Sequence, residues 1–282
     1  MVTKITATGL FFTVNGLRLH CLDWGNEAAP PLLCVHGFRS NAHAFDGLAR
    51  HFRDRFHIVA TDVRGRGESE WSKEGAYQYE DYVSDLEGIV DALGLQRFTL
   101  VGTSMGGRIA MIYAGRHPER LERLVINDIG PDNEAGSDRI TREAAATPED
   151  FASLEAVLAY RRQTVPALAS LPQEEQTELA LTLFRQDARG RWVFKSDPEF
   201  LRQRAANGAG GLPELWAVLG RLSCPTLLVW GTASDVLSQE QAQRVVKTLP
   251  AGQLVGIPGV GHAPNFTEPE FLAAVRQFLQ VD

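Results

Sequence analysis

The chain has 282 residues, of which 44% are hydrophobic and 22% charged, and 28 Lys and Arg against 35 Asp and Glu give a formal net charge of −7 at pH 7. A chain of this length and composition buries enough apolar surface to fold without covalent cross-links, which excludes a disordered chain and a disulfide-dependent mini-protein. The acidic balance gives no electrostatic reason to bind nucleic acid or anionic lipid, and we expect neither as a partner.

The N-terminus leads into no apolar stretch typical of a secretory signal, and no apolar run approaches the ~18 residues of a membrane span. Cys21, Cys34 and Cys224 are odd in number and form no C-x-x-C pair. We expect free thiols, buried in or beside strands at Cys34 and Cys224, as is common in a reducing compartment. These features predict a cytoplasmic protein without membrane contact.

Short β-rich segments alternate with longer helical ones, which predicts a mainly parallel sheet with crossover helices. Asn15-Gly16, between the β-rich runs 10–14 and 17–24, predicts an opening hairpin. The elements predicted next are a strand at 31–36, a helix at 42–52, a strand at 58–63, a helix at 81–93, a strand at 98–103, a helix at 105–116 and a strand at 124–128.

The alternation stops after residue 130. Helical patterns at 151–164 and 174–184 follow, together with several prolines and a glycine-rich stretch at 208–211 that predicts a local turn. Strand and helix patterns then resume at 225–231, 239–249, 253–257 and 269–279. The simplest interpretation is one α/β core domain, residues 1–130 and 223–282, interrupted by a helical insert at 131–222.

A candidate nucleophile lies between the strand predicted at 98–103 and the helix that follows it. Gly102-Thr103-Ser104-Met105-Gly106 has the pattern G-x-S-x-G in the strand–turn–helix context that gives this motif its meaning. Such a turn lifts the serine oxygen to the N-terminal end of a helix, where free N–H groups and the helix dipole favour developing negative charge. The alternative is a glycine-rich turn with an incidental serine. We predict that Ser104 is the nucleophile.

A serine nucleophile needs a base, and the imidazole needs an acid that fixes its tautomer. His262 is the predicted base, because it follows a late strand on the side where open α/β sheets bind ligands. Asp235 follows the strand at 225–231 and gives the chain order Ser104, Asp235, His262. Asp128, at the end of the strand at 124–128, is the alternative acid.

The backbone N–H groups of Phe38 and Met105 are the predicted oxyanion donors. Met105 follows the nucleophile, and Phe38 lies in the loop after the third predicted strand, which begins His36-Gly37-Phe38-Arg39. We expect His36 to order this loop by hydrogen bonding.

Three further residues are candidates for binding substrate. Arg39 follows the oxyanion loop and is suited to a substrate carboxylate, with a solvated surface arginine as the alternative. Trp192 and Trp216 lie in the insert and are predicted to line an apolar pocket, with a role in the core of the insert as the alternative.

Taken together, several segments resemble the α/β-hydrolase superfamily in its helical-cap branch. In this family the fold is an eight-stranded, mostly parallel sheet flanked by helices, with a helical cap inserted after strand 6 over the nucleophile. The resemblance therefore implies that 131–222 is the cap, and that Asp62 and Arg64 shape a loop near the site. The matching segments are His36-Gly37-Phe38, Asp62-Val63-Arg64-Gly65-Arg66-Gly67-Glu68-Ser69, Gly102–Gly107, Gly231–Asp235 and Gly261-His262.

The resemblance also narrows the chemistry. Haloalkane dehalogenases and epoxide hydrolases of this family carry Asp where this chain has Ser104, so hydrolysis of esters, thioesters, lactones, amides and C–C bonds, and peracid formation, stay open. We predict a serine carboxylic-ester hydrolase for small or medium apolar acyl groups, acting on a small-molecule ester-like substrate without cofactor or metal. The alternatives are a lactonase or enol-lactonase, a hydrolase of C–C bonds in ring-cleavage products, and a ligand sensor with slow or no turnover.

Overall fold

A computed structural model of the chain describes residues 6–207, 212 and 214–281. Its first two strands, β1 (Thr8–Val14) and β2 (Leu17–Asp23), pair antiparallel. Asn15 and Gly16 connect them with φ of 51° and 76°. Positive φ at both central residues is what the tightest hairpin turn needs, and this confirms the predicted hairpin.

The next segment alternates strands and helices as predicted, with shifts of a few residues at the ends. A 3-10 turn at Ala42–Phe45 precedes the first α-helix. The elements are β3 (Pro31–Val35), α1 (Asp46–Phe52), β4 (His57–Thr61), α2 (Tyr79–Ala92), β5 (Phe98–Thr103), α3 (Met105–Arg116) and β6 (Leu121–Asn127).

The insert is more varied than its sequence pattern indicates. Its elements are α4 (Ala135–Ala145), α5 (Leu154–Thr164), α6 (Gln173–Leu183), β7 (Phe184–Gln186), β8 (Trp192–Phe194), α7 (Pro198–Asn207) and α8 (Leu215–Leu219). Helices α5 and α6 confirm the two predicted helical patterns, whereas the antiparallel β7–β8 hairpin and the other three helices were not predicted. The turn predicted at 208–211 lies outside the described residues.

The chain then returns to the sheet with β9 (Thr226–Gly231), α9 (Gln239–Thr248), β10 (Gly252–Ile257) and α10 (Pro269–Leu279). The sheet has eight strands in the order β1-β2-β4-β3-β5-β6-β9-β10. Its pairs are antiparallel at β1–β2 and β2–β4 and parallel from β4 to β10. The predicted fold class, with an insert after the sixth strand, is confirmed.

Side chains that alternate along the central strands build an apolar core on each face of the sheet. Leu33 and Leu100 contribute to the core beneath α2, α3 and α9, and Cys34 and Val101 to the core beneath α1 and α10. All three cysteines are buried and free, as expected for Cys34 and Cys224. Among the described residues, none of the helices combines the length and apolar character that crossing a lipid bilayer requires.

The insert has a small core of its own, centred on the buried rings of Phe151 and Phe184. The last helix of the insert, α8, does not pack in this small core. Its Leu215 and Leu219 are buried in the core beneath α3. The domain limits at residues 131 and 222 stay a prediction.

Candidate active site

The turn at Ser104 brings backbone segments closer together than side chains permit. Ser104 joins β5 to α3 with φ 54° and ψ −119°. A Cβ on Gly102 would lie 2.4 Å from the carbonyl oxygen of Gly106, and a Cβ on Gly106 would lie 2.1 Å from that of Val35. Glycine at both positions therefore lets the chain turn sharply enough to present the Ser104 hydroxyl beside the first turn of α3.

Three side chains from three loops form one chain of hydrogen bonds at the carboxyl edge of the sheet. Ser104 Oγ lies 2.8 Å from Nε2 of His262, and Nδ1 of His262 lies 2.8 Å from Oδ2 of Asp128. A carboxylate only accepts, so Nδ1 carries the proton and Nε2 presents its lone pair to the serine hydroxyl. The carboxylate of Asp128 is fully buried, and the His262 side chain is 8% exposed.

The structure corrects the sequence-based choice of the acid, because Asp128 and not Asp235 bonds to His262. Asp235 is exposed and faces the insert, where its two oxygens accept from Arg139 Nε and Nη2 at 2.6 and 2.9 Å. The Arg139 guanidinium holds the pKa of Asp235 below its ordinary value. Asp235 therefore links the core to helix α4, with the backbone N–H of Gly136 donating to its carbonyl oxygen at 2.8 Å.

Backbone conformation explains why Asp128 reaches the histidine. Its φ of 56° turns the chain directly after β6. Its N–H donates to Val229 of the neighbouring strand, and its Oδ1 accepts from the N–H of Gly231 at 3.0 Å. With one oxygen held by the end of β9, the other is aimed at the loop that carries His262.

The His262 loop is held in place by the same two strands. A Cβ on Gly231 would lie 2.5 Å from the carbonyl oxygen of Val260, so the loop approaches β9 closely only because residue 231 is glycine. Asn127, the last residue of β6, donates from Nδ2 to the carbonyl oxygen of Pro264 at 2.8 Å. The imidazole therefore sits on backbone anchored at both of its ends.

His36 orders the loop after β3, as expected. Its Nδ1 lies 2.7 Å from the carbonyl oxygen of Gly37, and its Nε2 accepts from the N–H of Val63 at 3.1 Å. Burial lowers the pKa of His36 to about 4, so the ring is neutral and holds both bonds at neutral pH. A Cβ on Gly37 would lie 3.3 Å from Cβ of Ser104, which shows how closely this loop passes the nucleophile.

One predicted oxyanion donor, Met105, follows Ser104 in the chain, and the other, Phe38, belongs to the cavity above Ser104. Met105 is the first residue of α3, so its N–H has no acceptor within the helix, and Phe38 lines the cavity above Ser104. Both contact Arg66, which is fully buried: its Nε donates to the carbonyl oxygen of Phe38 at 3.4 Å, and its Nη2 lies 3.8 Å from Sδ of Met105. Sequence reasoning missed Arg66, although it stands in the segment from Asp62 to Ser69.

Asp62 and Arg64 hold that segment, as the family resemblance implied. Asp62 is buried and accepts from the His20 ring and from the N–H groups of Ala42 and Glu68. Although burial raises the pKa of Asp62, these hydrogen bonds hold it below its ordinary value. Arg64 forms a two-point ion pair with Asp85 at 2.5 and 2.6 Å. Neither side chain is among those that line the cavity above Ser104.

A cavity of about 300 Å³ opens above Ser104 and His262. Its walls are mostly apolar side chains from the core, and Ile140 of α4 brings the insert over the nucleophile. Arg39, a predicted substrate contact, also lines this cavity. The apolar wall residues are Phe38, Ala44, Ile140, Ala263, Pro264 and Phe266.

Neither Trp192 nor Trp216 is among the described residues that line this cavity, so their contact with substrate stays a prediction. Trp192 packs against the core of the insert and pairs by backbone with Phe151. Trp216 donates from Nε1 to Asp132 at 2.9 Å and lies under the guanidinium of Arg244. Trp192 therefore belongs to the core of the insert, whereas Trp216 packs against the core beneath α3.

Within residues 6–207, 212 and 214–281, no group of three or more His, Cys, Asp or Glu side chains is close enough together to hold a metal ion.

A sequence model described as alpha/beta hydrolase fold matches residues 30–269. The chain belongs to the alpha/beta hydrolase family. It is 31% identical over 270 residues to the 3-hydroxybutyrate-oligomer hydrolase of Cupriavidus necator, covering 93% of this chain and 92% of the relative. It is 28% identical over 257 residues to the 2-(acetamidomethylene)succinate hydrolase of Mesorhizobium japonicum, covering 89% and 88%.

Solved structures agree with this family membership. An alpha/beta hydrolase from Novosphingobium aromaticivorans superposes with a TM-score of 0.83 at 29% identity and covers 97% of this chain and 98% of its own. The relatives are hydrolases, and this member of the family shares their fold over nearly its whole length.

The depressed pKa of His36 predicts a pH dependence of stability. Because the unfolded histidine takes up a proton near pH 6.5 and the folded one only near pH 4, the unfolded state binds more protons in this window, and the free energy of unfolding falls as pH is lowered through it. At about 1.36 kcal/mol per pKa unit, we expect His36 to contribute roughly 2–3 kcal/mol of the loss between pH 7 and pH 4.5.

Urea unfolding at pH 7, 5.5 and 4.5 checks this prediction. His36→Gln should be less stable than the parent at pH 7 and should lose less stability on acidification. His51→Gln, at an exposed position on α1, is the matched control and should follow the parent. If the free energy of unfolding fell equally with pH in His36→Gln and in the parent, the prediction would be contradicted.

Proposed function

We propose that this protein is a serine hydrolase that cleaves carboxylic esters of small or medium acyl groups through an acyl-enzyme on Ser104. The observation that carries the proposal is the unbroken hydrogen-bonded chain from Ser104 through His262 to the buried carboxylate of Asp128. A serine hydroxyl is a weak nucleophile on its own, and this arrangement supplies both the base and the group that orients it.

In the first half-reaction, Ser104 Oγ attacks the ester carbonyl carbon while Nε2 of His262 takes its proton. The carbonyl electron pair moves to oxygen, and the N–H groups of Phe38 and Met105 stabilise this oxyanion. When the tetrahedral intermediate collapses, the C–O bond to the alcohol breaks, and the leaving oxygen takes the proton from His262. Asp128 stabilises the imidazolium between these two transfers.

In the second half-reaction, water replaces the alcohol. Nε2 of His262 takes a proton from water as its oxygen adds to the acyl carbon, and the oxyanion is held as before. Collapse then breaks the bond between the acyl carbon and Ser104 Oγ, which recovers its proton from His262. The products are a carboxylic acid and the free enzyme.

The walls of the cavity support small or medium acyl groups. A volume of about 300 Å³ lies at the lower end of the range of ligand sites, and its apolar walls favour a short hydrocarbon portion next to the ester. The relative from Cupriavidus necator is named as a hydrolase of 3-hydroxybutyrate oligomers, which supports a substrate built of short acyl units.

Kinetics with p-nitrophenyl esters from acetate to decanoate test the nucleophile. The parent should show a burst followed by steady turnover with an optimum among the shorter esters. Ser104→Ala should lose about 10⁴-fold or more of this activity while keeping its fold, because only one oxygen is removed. Ser170→Ala, an exposed serine of the insert, is the control.

Three results would contradict the proposal. If Ser104→Ala retained activity, Ser104 would not be the nucleophile. A stoichiometric burst without turnover would favour a ligand sensor. Absence of any reaction by the folded parent would move the proposal to lactones or C–C bonds.

The acid is tested by a matched pair of substitutions. Asp128→Asn should lower kcat by about 10⁴-fold, because an amide at this position favours the wrong imidazole tautomer. Asp235→Asn breaks only an exposed ion pair to Arg139, and such pairs contribute little to stability, so its kcat should stay within a few fold of the parent. If Asp235→Asn lowered kcat strongly and Asp128→Asn did not, Asp235 would be the acid instead.

A further inference from the structure

A second cavity adjoins the first and is lined by several arginines. It has a volume of about 630 Å³ and lies between the core and helices α4 and α5. Arg39 lines both this cavity and the one above Ser104, so the two share a wall. Arg139 and Arg161 complete the positive lining, and Glu143 is the one carboxylate among the described residues that line the cavity. Any ligand that reaches from Ser104 past Arg39 enters a cationic space.

Arg39 uses only part of its hydrogen-bonding capacity. Nη1 donates to Oγ1 of Thr147 at 2.8 Å, and the guanidinium lies 4.4 Å from the ring centroid of Phe194. These contacts hold the guanidinium plane against the insert. Nε and Nη2 are buried and have no hydrogen-bond partner among the described residues.

Arg161 on α5 presents a second unmatched guanidinium. Its Nε is also buried, with no acceptor in the part of the chain that the structure describes. Arg139 in the same cavity differs, because it is paired with both Asp235 and Glu143. The carboxylates of Asp235 and Glu143 are therefore already paired with Arg139. Neither Arg39 nor Arg161 is paired with a carboxylate of the described residues.

Arg39 and Arg161 carry like charges in one cavity, and neither is paired with a carboxylate of the described residues, so the two guanidinium groups repel each other. Burial, and the charge of Arg39, lower the pKa of Arg161 although the neighbouring Tyr160 acts in the opposite direction. Buried N–H donors without acceptors are uncommon in folded proteins because each has lost its hydrogen bond to water. An anion in this cavity removes the repulsion and satisfies the donors at once.

We propose that Arg39 and Arg161 bind a carboxylate at the far end of the substrate while the ester lies at Ser104. This inference rests on the proposed function and narrows it to esters that carry a free carboxylate. The planar guanidinium fork matches the two oxygens of a carboxylate, and Phe194 fixes the plane of Arg39. The short apolar portion of the substrate then occupies the cavity above Ser104, and its charged end the arginine-lined cavity.

Matched acids and amides test the inference, because they differ in charge but hardly in shape. The first series is the monoethyl esters of succinic, glutaric and adipic acids against the ethyl esters of the corresponding monoamides, which place the charge on the acyl side. The second is 3-acetoxybutyrate against 3-acetoxybutyramide, which places it on the alcohol side. For at least one pair we expect the acid to exceed the amide in kcat/KM by about tenfold or more.

Variants assign that preference to residues. Arg161→Gln and Arg39→Gln should each lower the ratio of acid to amide by about tenfold, mainly through KM for the acid. Arg39→Lys keeps the charge but not the fork, and should retain part of the preference. Arg162→Gln is the matched control, since Arg162 is adjacent on α5 but pairs with Glu155 and Gln176, and its ratio should equal that of the parent.

A binding measurement keeps this test independent of turnover. Calorimetric titration of Ser104→Ala with the same acids and amides should give tighter binding of an acid, weakened in Arg161→Gln. The inference would be contradicted if acid and amide bound equally in every pair, or if neither Arg39→Gln nor Arg161→Gln changed the preference for the acid. Neither result would affect the proposal of ester hydrolysis. Tighter binding of an acid by a protein whose parent hydrolyses no ester would contradict the proposed function alone.

Discussion

The arrangement of this molecule depends on one buried interaction, the hydrogen bonds that the Asp128 carboxylate makes to the N–H of Gly231 and to the ring of His262. A fully buried carboxylate is tolerated only where donors surround it, and here they come from the end of β9 and from the loop after β10. Strand β6, which ends at Asp128, lies between β5 and β9, so the same carboxylate connects the strand next to β5 with the loop of His262. Fixing Asp128 therefore fixes the histidine relative to the serine.

The loops around this interaction are kept rigid by groups that never face the cavity. His36 stays neutral and holds the loop of Phe38, while the buried cation of Arg66 contacts Phe38 and Met105 together. The guanidinium of Arg66 also lies 3.6 Å from the ring centroid of Phe200 in the insert. The insert thus contributes twice: Phe200 contacts Arg66 behind the loop of Phe38, and Ile140 lies over Ser104.

Much of the core and of the nucleophile turn was predictable, because consecutive apolar residues, Asn15-Gly16 and the glycines around Ser104 report local constraints. The acid was not, since both Asp128 and Asp235 follow parallel strands whose ends meet at one edge, and only the positive φ at 128 and the pairing of Asp235 with Arg139 separate them. The tryptophans show the same limit, because aromatic composition does not tell which face of the insert a ring occupies. Arg39 and Arg161 are 122 positions apart, and nothing local indicates that they share a cavity.

Proton NMR of the hydrogen bond between His262 and Asp128 is the most direct test of whether Asp128 orients this imidazole. An imidazole N–H donating to a buried carboxylate resonates far downfield and exchanges slowly with water, and comparison with His262→Gln distinguishes it from the bonded N–H of His36. This resonance should persist in Asp235→Asn and disappear or move upfield in Asp128→Asn. A resonance that survives in Asp128→Asn and is lost in Asp235→Asn would contradict this role of Asp128.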